Sequence, residues 1–310
     1  DVDLVTDLPV QDVERLRKDA KLKVLDGEEN RTIFIAMDQH SDELKYSNVK
    51  GKNPFKDIRV RKALNMAVDR ESIKRVTMRG MSMPAGIMVA PSVHGWSKEL
   101  DVYPKYDPAA AKKLLAEAGY PEGFEFTLDC PNNRYVNDEK ICQALVGMWA
   151  KAGLRVKLNA VPFANFIPKI LNFDSSAYML GWGVATFDTL YSLQSLLRTK
   201  TSGADGSFNL GRVSDPKLDK IIDSIKVTTD PKARDAVAGG ADGHARPGVL
   251  RAAAPPAAAL GDEEERQHRA QGRRPAGIAL RPRQLIRTQA GCFAACYLGE
   301  SGTTTWRGAF

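Results

Sequence analysis

Three observations predict an α/β fold for this chain. Short segments with the two-residue alternation of strands succeed longer segments with helical periodicity. The helical segments open on Asp or Asp-Pro and stop at Gly. Apolar residues make up 43% of the 310, enough to fill buried cores. All three patterns run to about residue 235 and lapse after it.

The elements follow in order. Thr32-Ile-Phe-Ile-Ala-Met37 is rich in the β-branched and aromatic residues that suit a pleated surface, and reads as a strand. Asp57 is placed to cap a helix whose Val60, Leu64, Ala67 and Val68 share one face, and Asp69 to cap a second segment through Ile73 and Val76. Tyr106-Asp-Pro-Ala-Ala opens another helix: Asp107 is its N-cap, Pro108 sits at the first position, where a missing N–H costs nothing, and Gly119 ends it. Phe124-Glu-Phe-Thr-Leu128 is the next strand, and Glu139 to Ala152 the next helix, stopped by Gly153. Arg155-Val-Lys-Leu-Asn-Ala-Val161 and Ala177-Tyr-Met-Leu180 are two further strands.

Composition excludes several functions. The net charge is +7, but residues 236 to 310 hold ten Arg against six Asp and Glu, leaving only +3 for the remainder. Nucleic-acid binding by the body of the chain is therefore not expected. Arg59, Arg61, Arg70, Lys74 and Arg75 alternate with Asp57, Asp69 and Glu71, the pattern of a solvated helix face. Cys130, Cys142, Cys292 and Cys296 lack zinc-site spacing, and His40, His94, His244 and His268 lie far from them in sequence, so no metal is expected. No Gly-x-Ser-x-Gly, His-Glu-x-x-His or Walker pattern occurs, Gly181-Trp-Gly-Val-Ala-Thr186 lacks the third glycine of a dinucleotide loop, and no enzyme is expected. No apolar run approaches the ~20 residues of a membrane span. The N-terminus Asp1-Val-Asp-Leu-Val-Thr-Asp-Leu-Pro9 has neither Met nor a signal-peptide pattern, so a mature form or a fragment is expected.

After residue 236 neither periodicity persists, Lys232 is the last lysine, and Ala, Arg, Gly and Pro dominate. Such a composition fits a disordered basic tail, able to act as an interaction module. It also fits an out-of-frame translation. On permitted codons, Leu260 to Ala270 read one base later becomes Trp-Ala-Met-Lys-Lys-Asn-Val-Ser-Thr-Val, and the same shift near Gln284 reaches a stop.

The most specific stretch is Asn53-Pro-Phe-Lys-Asp-Ile-Arg-Val-Arg-Lys-Ala-Leu-Asn-Met-Ala-Val-Asp69. It resembles the signature of the family 5 bacterial extracellular solute-binding proteins, which reads Pro-Phe-x-Asp-x-Arg-Val-Arg-x-Ala-Leu-x-x-Ala-x-Asp. Asn30-Arg-Thr-Ile-Phe-Ile, the helix from Tyr106 to Tyr120, and Gly181-Trp-Gly-Val-Ala-Thr-Phe-Asp188 resemble further family segments in the family's order, over residues 1 to about 235. In the shifted frame, Trp-Ala-Met-Lys-Lys-Asn-Val resembles the family's C-terminal segment.

The resemblance implies a two-lobed periplasmic binding protein fold (type II-like), of which this chain supplies one nearly complete lobe plus remnants of the other. Residues 1–36 would end the first lobe, 37–212 form the second α/β lobe, 213–235 a returning helix and 236–310 the tail. It implies a monomeric, periplasmic or extracellular component of an ABC importer, closing about a hinge over a peptide or small-molecule solute and delivering it to permease subunits in the inner membrane, with no cofactor. A frameshifted product lacking half the cleft is expected to bind weakly or not at all.

A peptide trap needs a carboxylate for the ammonium and a cation for the carboxylate. By resemblance Asp188 is the ammonium partner; it is equally placed to cap a helix beginning near Thr189. Trp182 is a candidate pocket wall or a core residue. Arg134, with Asn132 and Tyr135 as neighbours, follows a strand end and could hold a carboxylate through its planar fork, or be a solvated loop charge. Sequencing codons 230 to 290 of the gene is expected to show a single-base lesion whose repair restores Trp-Ala-Met-Lys-Lys-Asn-Val and a stop; an intact frame would make the Arg-rich tail genuine.

Overall fold

A computed structural model describes residues 4–5, 8–239 and 286–287. A short helix α1 (Val13–Arg17) and strand β1 (Val24–Leu25) lead into β2 (Arg31–Met37). Then come a 3₁₀ turn at Pro54–Lys56, α2 (Ile58–Met66), and α3 (Arg70–Ser72), which runs into a π-helical turn at Ile73–Thr77. The remainder is α4 (Pro108–Glu117), β3 (Glu125–Pro131), α5 (Asp138–Lys151), β4 (Arg155–Val161), α6 (Phe163–Leu171), β5 (Ala177–Gly183), α7 (Thr189–Ser192) with a π-helical turn at Leu193–Leu197, α8 (Pro216–Val227) and α9 (Pro231–Gly239). A two-residue strand, β6 (Ile286–Arg287), pairs in parallel with β1. The remaining tail over 236–310 lies outside the described residues.

The predicted caps are present. Asp57, Asp69 and Asp107 accept the backbone N–H groups of Arg59, Ser72 and Ala110 at 2.8 to 2.9 Å. Gly119 and Gly153 follow α4 and α5 at φ 92° and 93°, a conformation in which a Cβ would be strained. Helix α6 is not visible in the sequence reading because Pro168 interrupts it. It forms because Phe166 and Ile170, one turn apart, both bury fully. Val76, in the segment capped by Asp69, lies in the π-helical turn and is 61% exposed.

A four-stranded sheet has the order β2-β5-β3-β4, with β2 antiparallel to β5 and the other pairs parallel. Both faces are buried, so strand alternation sorts residues into two cores. Ile33, Ile35 and Met37 of β2, Phe126 and Leu128 of β3, and Ala177 and Met179 of β5 meet Val60 and Leu64 of α2, Leu115 of α4 and Trp149 of α5. Phe34 and Ala36 of β2 and Tyr178, Leu180 and Trp182 of β5 face the other way, toward Phe166 and Ile170 of α6 and Leu218, Ile222 and Ile225 of α8. The result is a three-layer α/β/α unit. All seven residues of β2 pair with β5, so β2 belongs to this sheet along its whole length. Residues 213–235 hold two helices rather than one, α8 and the start of α9.

A charge cluster ties the π-helical turn after α7 to α8. Arg198 reaches Asp205 at 2.9 Å and Asp223 at 3.2 Å, and Lys226 reaches Asp205 at 3.0 Å. The Arg198 hydrogen bond, aided by Lys226 and Gln194 against a burial penalty, holds the Asp205 carboxyl down at about 2. Burial raises Asp174, but hydrogen bonds from Tyr46, Lys169 and Lys45 outweigh it and bring that carboxyl to about 2 as well. Folded values below the unfolded ~3.9 mean that this stabilisation is complete above about pH 4 and is lost as pH falls toward 2. The thermal midpoint is therefore expected to drop across that window, and to drop less steeply in Asp205→Asn. Equal steepness in both proteins would contradict this role for Asp205.

Candidate functional site

Strands β3, β4 and β5 run in parallel, so their C-terminal ends share one edge of the sheet, where open α/β sheets place ligands. The start of antiparallel β2 reaches the same edge.

The loop after β3 is built around one buried carboxylate. Asp138, the first residue of α5, accepts the backbone N–H groups of Arg134 and Tyr135 on one oxygen, at 2.8 and 3.0 Å, and that of Glu139 on the other, at 2.9 Å. Asn132 is exposed, and its N–H donates to the Val161 carbonyl of β4. Asn133 accepts the Phe163 N–H and so closes the start of α6. A disulfide joins Cys130 at the end of β3 to Cys142 in α5, both fully buried, and closes the loop between them.

Tyr135 connects this loop to β5. Its hydroxyl accepts the Gly181 N–H at 2.9 Å, and burial pushes its ionisation up. A Cβ on Gly181 would lie 2.6 to 2.7 Å from Ile33 and Tyr135 side-chain atoms, so only glycine admits this approach. Two guanidinium groups lie near the Tyr135 ring, those of Arg31 and Arg134, each 5.4 Å from its centroid; Arg134 is also 5.2 Å from the Phe163 ring. Arg31 pairs with Glu29 at 3.0 Å, both largely buried.

Trp182 points to the opposite face. It is 8% exposed, stacks on Tyr191 at 5.3 Å and packs on Phe208 at 5.1 Å. The structure makes it a member of the second core whose indole N–H has no hydrogen-bond partner among the described residues.

Asp188 caps α7, accepting the Leu190 N–H on Oδ1 at 2.8 Å, while Oδ2 pairs with Nη2 of Arg234 in α9 at 2.6 Å. The preceding Phe187 is held at φ 53° and is half-exposed. His94 fixes this turn from outside: its N–H donates to the Phe187 carbonyl at 3.0 Å, and its carbonyl accepts the Thr189 N–H at 3.2 Å.

Of the candidates, then, Asn132, Arg134 and Tyr135 share one loop, Trp182 serves the second core, and Asp188 stands at the far end of the β5 turn. Sequence reasoning missed Arg31, Glu29 and Arg234. A charged pair flanking the β2 apolar run was visible for the first two; Arg234 had no local signal. Tyr135→Phe would leave the Gly181 N–H without its acceptor, an expected loss of about 1 to 2 kcal/mol in denaturant unfolding; an unchanged midpoint would show that the tie contributes nothing.

The model for bacterial extracellular solute-binding proteins, family 5 (middle region) matches residues 1–204. Heme-binding protein A of Haemophilus influenzae is 26% identical over 235 residues, covering 75% of this chain and 40% of that protein. Glutathione-binding protein GsiB of Salmonella paratyphi A is 27% identical over 186 residues, covering 58% of this chain and 36% of that protein. The periplasmic binding protein DppA of Helicobacter pylori, solved with the peptide STSA, superposes with a TM-score of 0.64 at 21% identity over 73% of this chain and 41% of that one. The chain thus spans about 40% of the length of the first of these relatives. The fold is part of the two-lobed architecture of periplasmic binding proteins. The signature at Asn53–Asp69, the α/β unit and the matched region agree, and the chain belongs to the family 5 bacterial extracellular solute-binding proteins.

Proposed function

We propose that the protein carrying this chain is the extracytoplasmic solute-binding component of an ABC importer, which captures a peptide or similar small solute by hinge closure and presents it to permease subunits in the inner membrane. The observation that carries the reading is the shared sheet edge, where the Arg134–Tyr135 loop and the β5 turn ending at Asp188 both stand at the C-terminal ends of parallel strands. Residues 37–212 would supply one wall of the cleft, acting as a monomer without a cofactor. The Cys130–Cys142 disulfide supports an oxidising compartment, periplasmic or extracellular. The reading assigns no step of covalent chemistry.

Within that wall Arg134 takes the solute carboxylate and Asp188 its ammonium, with Asn132 and Tyr135 beside Arg134 and Trp182 backing the pocket through Tyr191. The ammonium must then take the place that Arg234 Nη2 holds at Asp188. Charge-assisted hydrogen bonds in a closed cleft contribute ~1.5 to 3 kcal/mol each, which is about 10- to 150-fold in affinity. In the full-length protein, Arg134→Ala is expected to weaken a free-carboxylate tripeptide by that factor and leave its C-terminal amide unaffected, by calorimetry. Equal losses for both peptides would reject Arg134 as the carboxylate partner.

A further inference from the structure

We infer that Arg234 is an internal competitor for the solute ammonium, so that solute binding at Asp188 loosens helix α9. The inference rests on the reading of Asp188 as the ammonium partner.

Three features of the structure carry it. Both oxygens of Asp188 are engaged, Oδ1 by the Leu190 N–H at 2.8 Å and Oδ2 by Arg234 at 2.6 Å. Arg234 meets Oδ2, the oxygen that the cap leaves open, through Nη2. A compact ammonium needs only that one oxygen, and the exchange keeps the Asp188 carboxylate paired while it returns the Arg234 guanidinium to solvent.

The two partners also differ in how firmly they are held. Asp188 stands on a turn fixed from three sides, by its own cap, by the His94 backbone bonds to Phe187 and Thr189, and by the Trp182–Tyr191 stack behind α7. Arg234 belongs to a helix whose residues 231–233 and 235 are exposed, leaving Arg234 as the inward-facing residue of those five. The pairing with Asp188 joins the packing of α9 on α8 in docking the helix, so exchange bears on the helix rather than on the fixed turn.

Finally, the turn that carries Asp188 exposes two aromatic side chains. Phe187 and Tyr191, its neighbours in sequence, are 49% and 39% exposed. Phe187 is held at a positive φ, rare for a bulky residue and characteristic of functional turns.

Coupling of this kind is reciprocal: solute loosens α9, and docking of α9 weakens solute. The test uses full-length wild type, Arg234→Gln and Asp188→Asn, with Ala-Ala and N-acetyl-Ala-Ala as probes. Calorimetry reads affinity, and amide hydrogen exchange reads residues 231–239, with α8 as the control for folding. Arg234→Gln is expected to bind Ala-Ala about tenfold more tightly than wild type. Ala-Ala should raise exchange over 231–239 in wild type toward the level of the variant, while the acetylated probe does neither. Ala-Ala binding that leaves exchange over 231–239 unchanged, or an Arg234→Gln affinity equal to or below wild type, overturns the competitor role while leaving Asp188 as a partner. Asp188→Asn binding Ala-Ala as well as wild type rejects the Asp188 reading itself, and no binding by wild type or Arg234→Gln rejects both.

Discussion

Strand β5 is the constraint on which the rest depends. It lies between β2 and β3, so it must satisfy backbone partners on both sides and apolar layers on both faces. Ala177 and Met179 close one core, while Tyr178, Leu180 and Trp182 close the other. At its end the requirement changes from volume to proximity: Gly181 exists to let Tyr135 approach, and the chain then turns toward Asp188. A slip of one residue in β5 would exchange the two cores and withdraw the glycine from Tyr135.

The site loop illustrates how a polar element is held by hydrogen bonds as well as by packing on an apolar core. Asp138 is buried, and three N–H groups compensate for its desolvation. The disulfide adds a covalent limit by closing the loop from Cys130 to Cys142. With the ends fixed in this way, Arg134 and Tyr135 project from a framework rather than from a free loop, which is the condition for selective binding by a small number of contacts.

Much of this was legible in the chain because its causes are local. A cap is a carboxylate two or three residues from the N–H it accepts, and Asp57, Asp69 and Asp107 were read correctly for that reason. The strands were read as short runs rich in β-branched and aromatic residues, the form a strand takes when both of its faces are covered. Helix α6 was missed because Pro168 signals a break, whereas its buried Phe166 and Ile170 signal continuity, and only packing decides between them. Trp182 and Asp188 were each left between two roles. The structure shows the core contacts of Trp182 and the cap made by Asp188, and it adds the Arg234 pairing.

The sequence by itself determined the α/β class, the caps, the order of elements and the family signature, because each is written in neighbouring residues or in a repeated spacing. Tertiary structure alone decided which residues share a face and which charges meet. Cys130 found Cys142 because a strand end lies against a helix, Arg31 of β2 comes to Tyr135 beside Arg134 in the β3–α5 loop, and Arg234 reaches Asp188 across forty-six positions of chain. Such contacts depend on the summed geometry of the intervening elements, and that sum is fixed only when both cores are packed.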